Sequence, residues 1–140
     1  MFELKQDNVK KELKRWFDFE MPVITGAMSE CISLVFLGRN GFHYGIHCGG
    51  GLSVDEANSL FEQLPSSFII DQTFVIFGWC YRERFSCLFS SNDVYDIFGD
   101  NTIILCSDNA EITSSVLYKA NYIWNREANK WDEYIAIHKF

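Results

Sequence analysis

Lysine and arginine are absent from two long stretches of this chain: none occurs from Asn40 to Tyr81, and none from Phe85 to Tyr118. The first stretch holds Asp55, Glu56, Glu62 and Asp71, and the second holds Asp93, Asp96, Asp100, Asp108 and Glu111. An acidic field of this kind repels nucleic acid and anionic membrane, attracts basic partners and speeds their association. Other absences narrow the class further. There is no Cys-x-x-Cys, Gly-x-Ser-x-Gly or His-Glu-x-x-His motif and no dinucleotide fingerprint, so the common local signatures of redox, hydrolase, zinc-protease and nucleotide enzymes are missing. No run of about 18 uncharged apolar residues exists, which excludes an ordinary transmembrane helix. The N-terminus is charged at once and lacks the apolar core of a signal peptide. A cytoplasmic protein is therefore expected.

What is present is aromatic. Thirteen Phe, six Tyr and four Trp make up 16% of 140 residues. That length predicts one domain, 1–140, with a core large enough to need neither disulfide nor metal. Surplus rings favour an exposed sticky patch as well as a core. The five cysteines, at 31, 48, 80, 87 and 106, are an odd number. In an unexported chain they read as reduced, mostly buried thiols. The net charge of −7 is unevenly placed. Residues 1–20 carry five bases and five acids, so residues 21–140 carry seven bases against fourteen acids.

The longest aromatic and β-branched run, Ser66–Ser91, predicts a central hairpin. Its strands are expected over Thr73–Tyr81 and Phe85–Ser90, turning at Arg82-Glu83-Arg84. Both registers of the first strand are apolar, which predicts cover on both faces. Before it, Asp7 or Asn8 is expected to cap a helix through about Phe17, with Lys10, Lys11, Lys14 and Arg15 outward. Strands follow over Cys31–Leu37 and Phe42–Cys48, joined by a Gly38–Gly41 turn. After Gly49-Gly50-Gly51, Ser53 and Glu56 form a capping-box pattern for a helix to about Leu64, stopped by Pro65. Ser91 or Asn92 is expected to cap a short helix, Asp93–Phe98, ended by Gly99. Strands over Thr102–Cys106, Ser115–Trp124 and Trp131–His138 complete the chain. In the last pair Tyr122, Trp124, Trp131 and Tyr134 are expected to clasp across strands. The order predicts an α+β domain, mainly an antiparallel sheet of about six to seven strands with two to three helices.

Few constellations invite chemistry. His43 and His47 suit a metal on a helix, but on a strand residues four apart lie about 13 Å apart, at roughly 3.3 Å per residue. They read as half-exposed strand residues, and no metal and no cofactor is expected. A cysteine nucleophile paired with histidine near the Gly-rich loop is a second reading, with Cys48 the first candidate. The triple glycine before a capped helix resembles a phosphate loop, but Asp55 and Glu56 occupy the first turn and no lysine follows. A third reading is a non-catalytic ligand- or subunit-binding module. The leading reading is a surface one. Asp93, Tyr95, Asp96, Asp100, Asp108 and Glu111 are expected to present carboxylates around a tyrosine, in place of substrate phosphates, to a partner's Lys and Arg. Asp55, Glu56 and Glu62 form the second choice.

With its acidic surface, abundant rings and the hairpin Tyr122–Tyr134, YIWNREANKWDEY, the chain resembles in overall character the immunity proteins of bacterial toxin–immunity systems, such as contact-dependent growth inhibition. That resemblance implies a non-enzymatic inhibitor that binds one basic partner, a cognate toxin domain that is often a nuclease, and occludes its active site. It carries over no site residue and leaves the oligomeric state open; the acidic charge separately predicts no nucleic-acid and no membrane partner.

Overall fold

The computed structural model describes residues 2–6, 11–16, 21–39, 41–113 and 118–134. Among these the chain runs β1 (Phe2–Glu3), β2 (Lys14–Trp16), β3 (Val23–Ile24), β4 (Ile32–Gly38), β5 (His43–Cys48), α1 (Val54–Glu62) and β6 (Ile70–Phe77). A 3-10 turn (Trp79–Arg82) leads to α2 (Ser91–Phe98), then β7 (Ile103–Cys106), β8 (Glu111–Ile112), β9 (Tyr118–Lys119), β10 (Tyr122–Asn125) and β11 (Lys130–Glu133). The class is α+β, with two mixed sheets.

The larger sheet has the order β11-β10-β7-β6-β4-β5-β2, and β6 sits at its centre. Its pairs are antiparallel except β6 with β7, which is parallel. The four-stranded sheet β1-β3-β8-β9 covers one face of it. The strand period of two sorts side chains cleanly between the layers. Leu34 and Phe36 of β4, Val75 and Phe77 of β6 and Ile104 of β7 point to the helical side. Val35, Leu37, Phe74, Ile76 and Leu105 point to the small sheet. This is why both registers of β6 are apolar: each face is covered.

The expected central hairpin does not form. Phe85–Ser90 makes no strand, only an isolated bridge between Ser86 and Phe89. Both hydrogen-bonding edges of β6 are already occupied, by β4 and by β7. The chain leaves β6 through the 3-10 turn and crosses over by way of α2, as a parallel pair requires. Phe85 and Phe89 instead pack their rings onto Phe77.

The N-terminal helix is also overturned. Lys14–Trp16 is an edge strand on β5, pairing Arg15 with Tyr44 and Trp16 with His43. Burial of Trp16, 5% exposed and stacked on Phe2 at 5.2 Å, outweighs the helical spacing of the sequence. The cap residues expected at Asp7 and Asn8 lie outside the described residues.

The strand expected over Ser115–Trp124 is divided between the sheets, although Ser115–Leu117 lie outside the described residues. Asn121 turns the corner: its side-chain oxygen accepts from Ser107 Oγ at 2.8 Å and from Asp108 N–H at 3.3 Å. Tyr118 therefore packs with the small sheet, while Trp124 packs on the helical side. Trp124 and Trp131 clasp across β10 and β11 with centroids 5.1 Å apart. The two tyrosines do not join them; Tyr122 stacks on Trp79 and Tyr134 on Tyr118. Of the strand expected over Trp131–His138, β11 (Lys130–Glu133) covers the start, and residues 135–138 lie outside the described residues.

Candidate functional site

α1 and α2 lie side by side over the larger sheet because their inward rings converge: Phe61 meets Phe98 edge-to-face at 5.2 Å, and both lean on Phe36. Ser53 caps α1 by accepting from Glu56 N–H. The Glu56 carboxylate reaches back as the box requires, accepting from Ser53 Oγ at 3.3 Å, and it also binds Lys11. Ser90 caps α2 in a full capping box with Asp93, just before the expected cap at Ser91 or Asn92. The two helices carry Asp55, Glu56, Glu62, Asp93 and Asp96 and no base. The helical parts of the stretches ranked first and second by sequence thus share one layer.

The structure sorts the individual carboxylates. Asp55, Glu62 and Asp96 are exposed and make no ion pair among the described residues. Asp93 is tied into its cap, accepting from Ser90 N–H at 2.8 Å and Ser90 Oγ at 3.0 Å. Glu56 bonds Lys11, which holds its carboxyl below the usual range. Asp100 is exposed but paired with Arg126 at 2.9 Å. Tyr95 is a correction: it is buried, with the Arg126 guanidinium 4.0 Å above its ring. Burial pushes its hydroxyl up, partly opposed by Arg126. It supports the α2 packing and does not offer a free ring. Asp108 and Glu111 do not belong to this layer. Asp108 lies in the turn after β7, accepting from Asn109 N–H at 2.9 Å. Glu111 lies on β8 in the small sheet, opposite Lys119. The neutralising bases Lys11 and Arg126 reach in from 45 and 26 residues away, so no local sequence signal shows them.

No family model matches this chain, and no curated protein is significantly similar to it in sequence. Its function has to be read from its own geometry.

The histidine–cysteine reading meets a geometric obstacle. On β5, Cys48 faces the helical side, whereas His43 and His47 face Trp16 and the backbone of Leu4. The sheet lies between thiol and imidazoles. Cys48 is fully buried, and burial pushes its thiol up to about 12, the opposite of an activated nucleophile. Cys106 is likewise buried and pushed up to about 12. A cleft of about 810 Å³ does lie beside Gly50 and Gly51, with the exposed Cys80 and Cys87, Glu30 and Arg84 on its walls. Burial and Glu30 raise the Cys80 thiol. No histidine lines that cleft. Among the described residues, no three His, Cys, Asp or Glu side chains converge as metal ligands, and no helix is long and apolar enough to cross a membrane.

His43 has a structural consequence. It is 1% exposed, its Nδ1 accepts from Gly38 N–H at 3.2 Å, and burial lowers its pKa below 6.5. The folded imidazole is neutral, while the unfolded chain takes up the proton near the ordinary value. Stability is therefore full above about pH 6.5 and falls as pH drops toward the folded pKa, by at most about 1.4 kcal/mol per pH unit. Urea melts at pH 7.5 and 5.5 should show a lower midpoint at 5.5, and His43→Gln should flatten that difference. An equal pH dependence in both proteins would rule the histidine out as its source.

Proposed function

We propose that this protein is an immunity-type inhibitor that binds a basic toxin domain and blocks its active site with the acidic face of α1 and α2. The observation that carries this reading is the helical layer, with five carboxylates and no base within its helices. Asp55, Glu62 and Asp96 are its exposed charges, and they stand where a nuclease would otherwise hold substrate phosphates. The three-layer core beneath supports the reading, because a preorganised surface loses little freedom on binding.

The experiment uses exposed positions only, since reversing Asp93 would break the α2 cap. Wild-type protein and the triple variant Asp55→Lys, Glu62→Lys, Asp96→Lys are immobilised and offered lysate of the source organism. Circular dichroism should show both folded. The wild type should retain a basic protein whose expression stops host growth, and co-expression of the wild type should relieve the arrest. The triple variant should bind that protein about a hundredfold more weakly at low salt, with most of the loss in association rate. Equal capture by the folded variant, or capture of a harmless partner, would sink the proposal.

A further inference from the structure

A second site lies where β4 meets β5, and its chemistry is opposite to that of the helical layer. Sequence order separates its parts, but strand pairing assembles them. Arg15 on β2 is the cross-strand neighbour of Tyr44 on β5, and Phe42 precedes Tyr44 by two residues, so the strand period places it on the same face. The Arg15 guanidinium carbon lies 4.0 Å over the Phe42 ring. Phe68, from the segment after α1, meets Tyr44 edge-to-face at 4.9 Å. It can do so because position 38 is glycine: a Cβ there would lie 2.9 Å from Phe68 Cζ and closer still to Cε2. These groups, with Arg39 and Ile69, enclose a cavity of about 260 Å³.

We infer that this pocket binds a small aromatic anion: one flat ring carrying a phosphate or carboxylate group. Three features support this. The pocket is lined by two arginines in a chain of net charge −7, and a guanidinium presents a planar fork suited to phosphate or carboxylate. Phe42 and Ile69 are 37% and 49% exposed, two of only four large hydrophobic side chains left so open among the described residues. Stacking a ring on them removes apolar surface from water while the rim holds the charge. The acid beside Arg39 is Asp71 at 4.0 Å, with both side chains more than 60% exposed. Such a pair contributes about 0–1 kcal/mol, so a bidentate anion can replace it. The volume suits one ring and one anionic group, near the small end of ligand pockets. This site stands independently of the inhibitor proposal, because a basic partner would be repelled from it.

The test is a titration of the full chain followed by NMR of its aromatic resonances, with four probes: AMP, adenosine, inorganic phosphate and benzoate. AMP or benzoate should shift the rings of Phe42, Tyr44 and Phe68, and whichever binds more tightly identifies the anionic group as phosphate or carboxylate. Adenosine and phosphate alone should each bind at least tenfold more weakly than AMP if phosphate is the group. Arg39→Ala should weaken the tighter probe at least tenfold, and Arg39→Lys only a few-fold, since it keeps charge but loses the fork. Arg39 is exposed, so both variants should melt like the wild type; Phe42→Ala supplies a second, ring-side variant. The proposal is overturned if neither AMP nor benzoate moves those rings at millimolar concentration. It is also overturned if phosphate alone binds as well as AMP when AMP is the tighter probe, or if Arg39→Ala binds like the wild type.

Discussion

Replacing Phe77 by alanine should destabilise the domain by about 4 kcal/mol. Phe77 is fully buried at the end of the central strand β6. Its ring lies 4.9 Å from Phe85, 5.5 Å from Tyr81, 6.0 Å from Phe89 and 6.4 Å from Trp131. Those four partners come from the 3-10 turn, the crossover segment and β11, so one ring joins three separate pieces of chain. Transfer of the side chain from water accounts for about 1.5–3 kcal/mol. The cavity left behind and the lost ring pairs supply the rest, because neighbours anchored in a sheet collapse only partly. A domain of ordinary stability holds about 5–15 kcal/mol in total, so the variant should fold but melt at much lower urea. Near-ultraviolet dichroism should also weaken, since Trp131 and its neighbour Trp124 lose a fixed wall. As a control, Leu88→Ala, at a side chain 49% exposed, should change the midpoint little. A loss below about 1 kcal/mol for Phe77→Ala would show that the ring cluster does not hold the crossover to the sheet.

The same residues show what was legible in the sequence. Apolar patterning gave the strands β4, β5 and β6, the α+β class and, for β6, cover on both faces, because it is a local signal. His43 and His47 on β5, expected half-exposed, are instead buried, because Trp16 and the Leu4 backbone cover their face. Capping chemistry placed α1 and α2 to within two residues, since Ser53 and Ser90 act on their own helix starts. What failed was decided by distant chain. Ser66–Ser91 reads as a hairpin in sequence, because nothing local shows that β7 fills the second edge of β6. Lys14–Trp16 reads as helix by its spacing, and only the waiting edge of β5 makes it a strand. Charge followed the same rule. The base-free stretches were real in sequence, yet Lys11 and Arg126 fold back onto Glu56 and Asp100. Tyr95 was expected at the surface and is covered by Arg126. The Arg15–Arg39 pocket had no sequence signal at all, because β2 had first to be recognised as a strand.

Gly78→Ala should cost about 3 kcal/mol, against what backbone conformation alone would suggest. Gly78 has φ −65 and ψ 169, which any residue adopts easily. At such a position alanine ordinarily stabilises by about 0.4–1 kcal/mol, because it restricts the unfolded chain. Here contact outweighs that gain. A Cβ at Gly78 would lie 2.7 Å from the carbonyl carbon of Ser29, closer still to its oxygen, and 2.9 Å from the oxygen of Cys31. All are backbone atoms, which cannot swing aside as a flexible side chain would. The segment 28–31 is held to this turn by three hydrogen bonds: Gly78 N–H to Cys31 O at 2.8 Å, Trp79 N–H to Met28 O at 3.1 Å and Cys80 N–H to Ser29 O at 3.0 Å. The clash is relieved only by separating the two segments. Overpacking costs about 1–3 kcal/mol, and each hydrogen bond stretched or lost adds about 1 kcal/mol. Amide exchange gives the local readout: in Gly78→Ala the amides of residues 78, 79 and 80 should lose protection before those of β4 and β6 do. A midpoint equal to or above that of the wild type would mean that the 28–31 segment can yield, and that the conformational gain decides the sign.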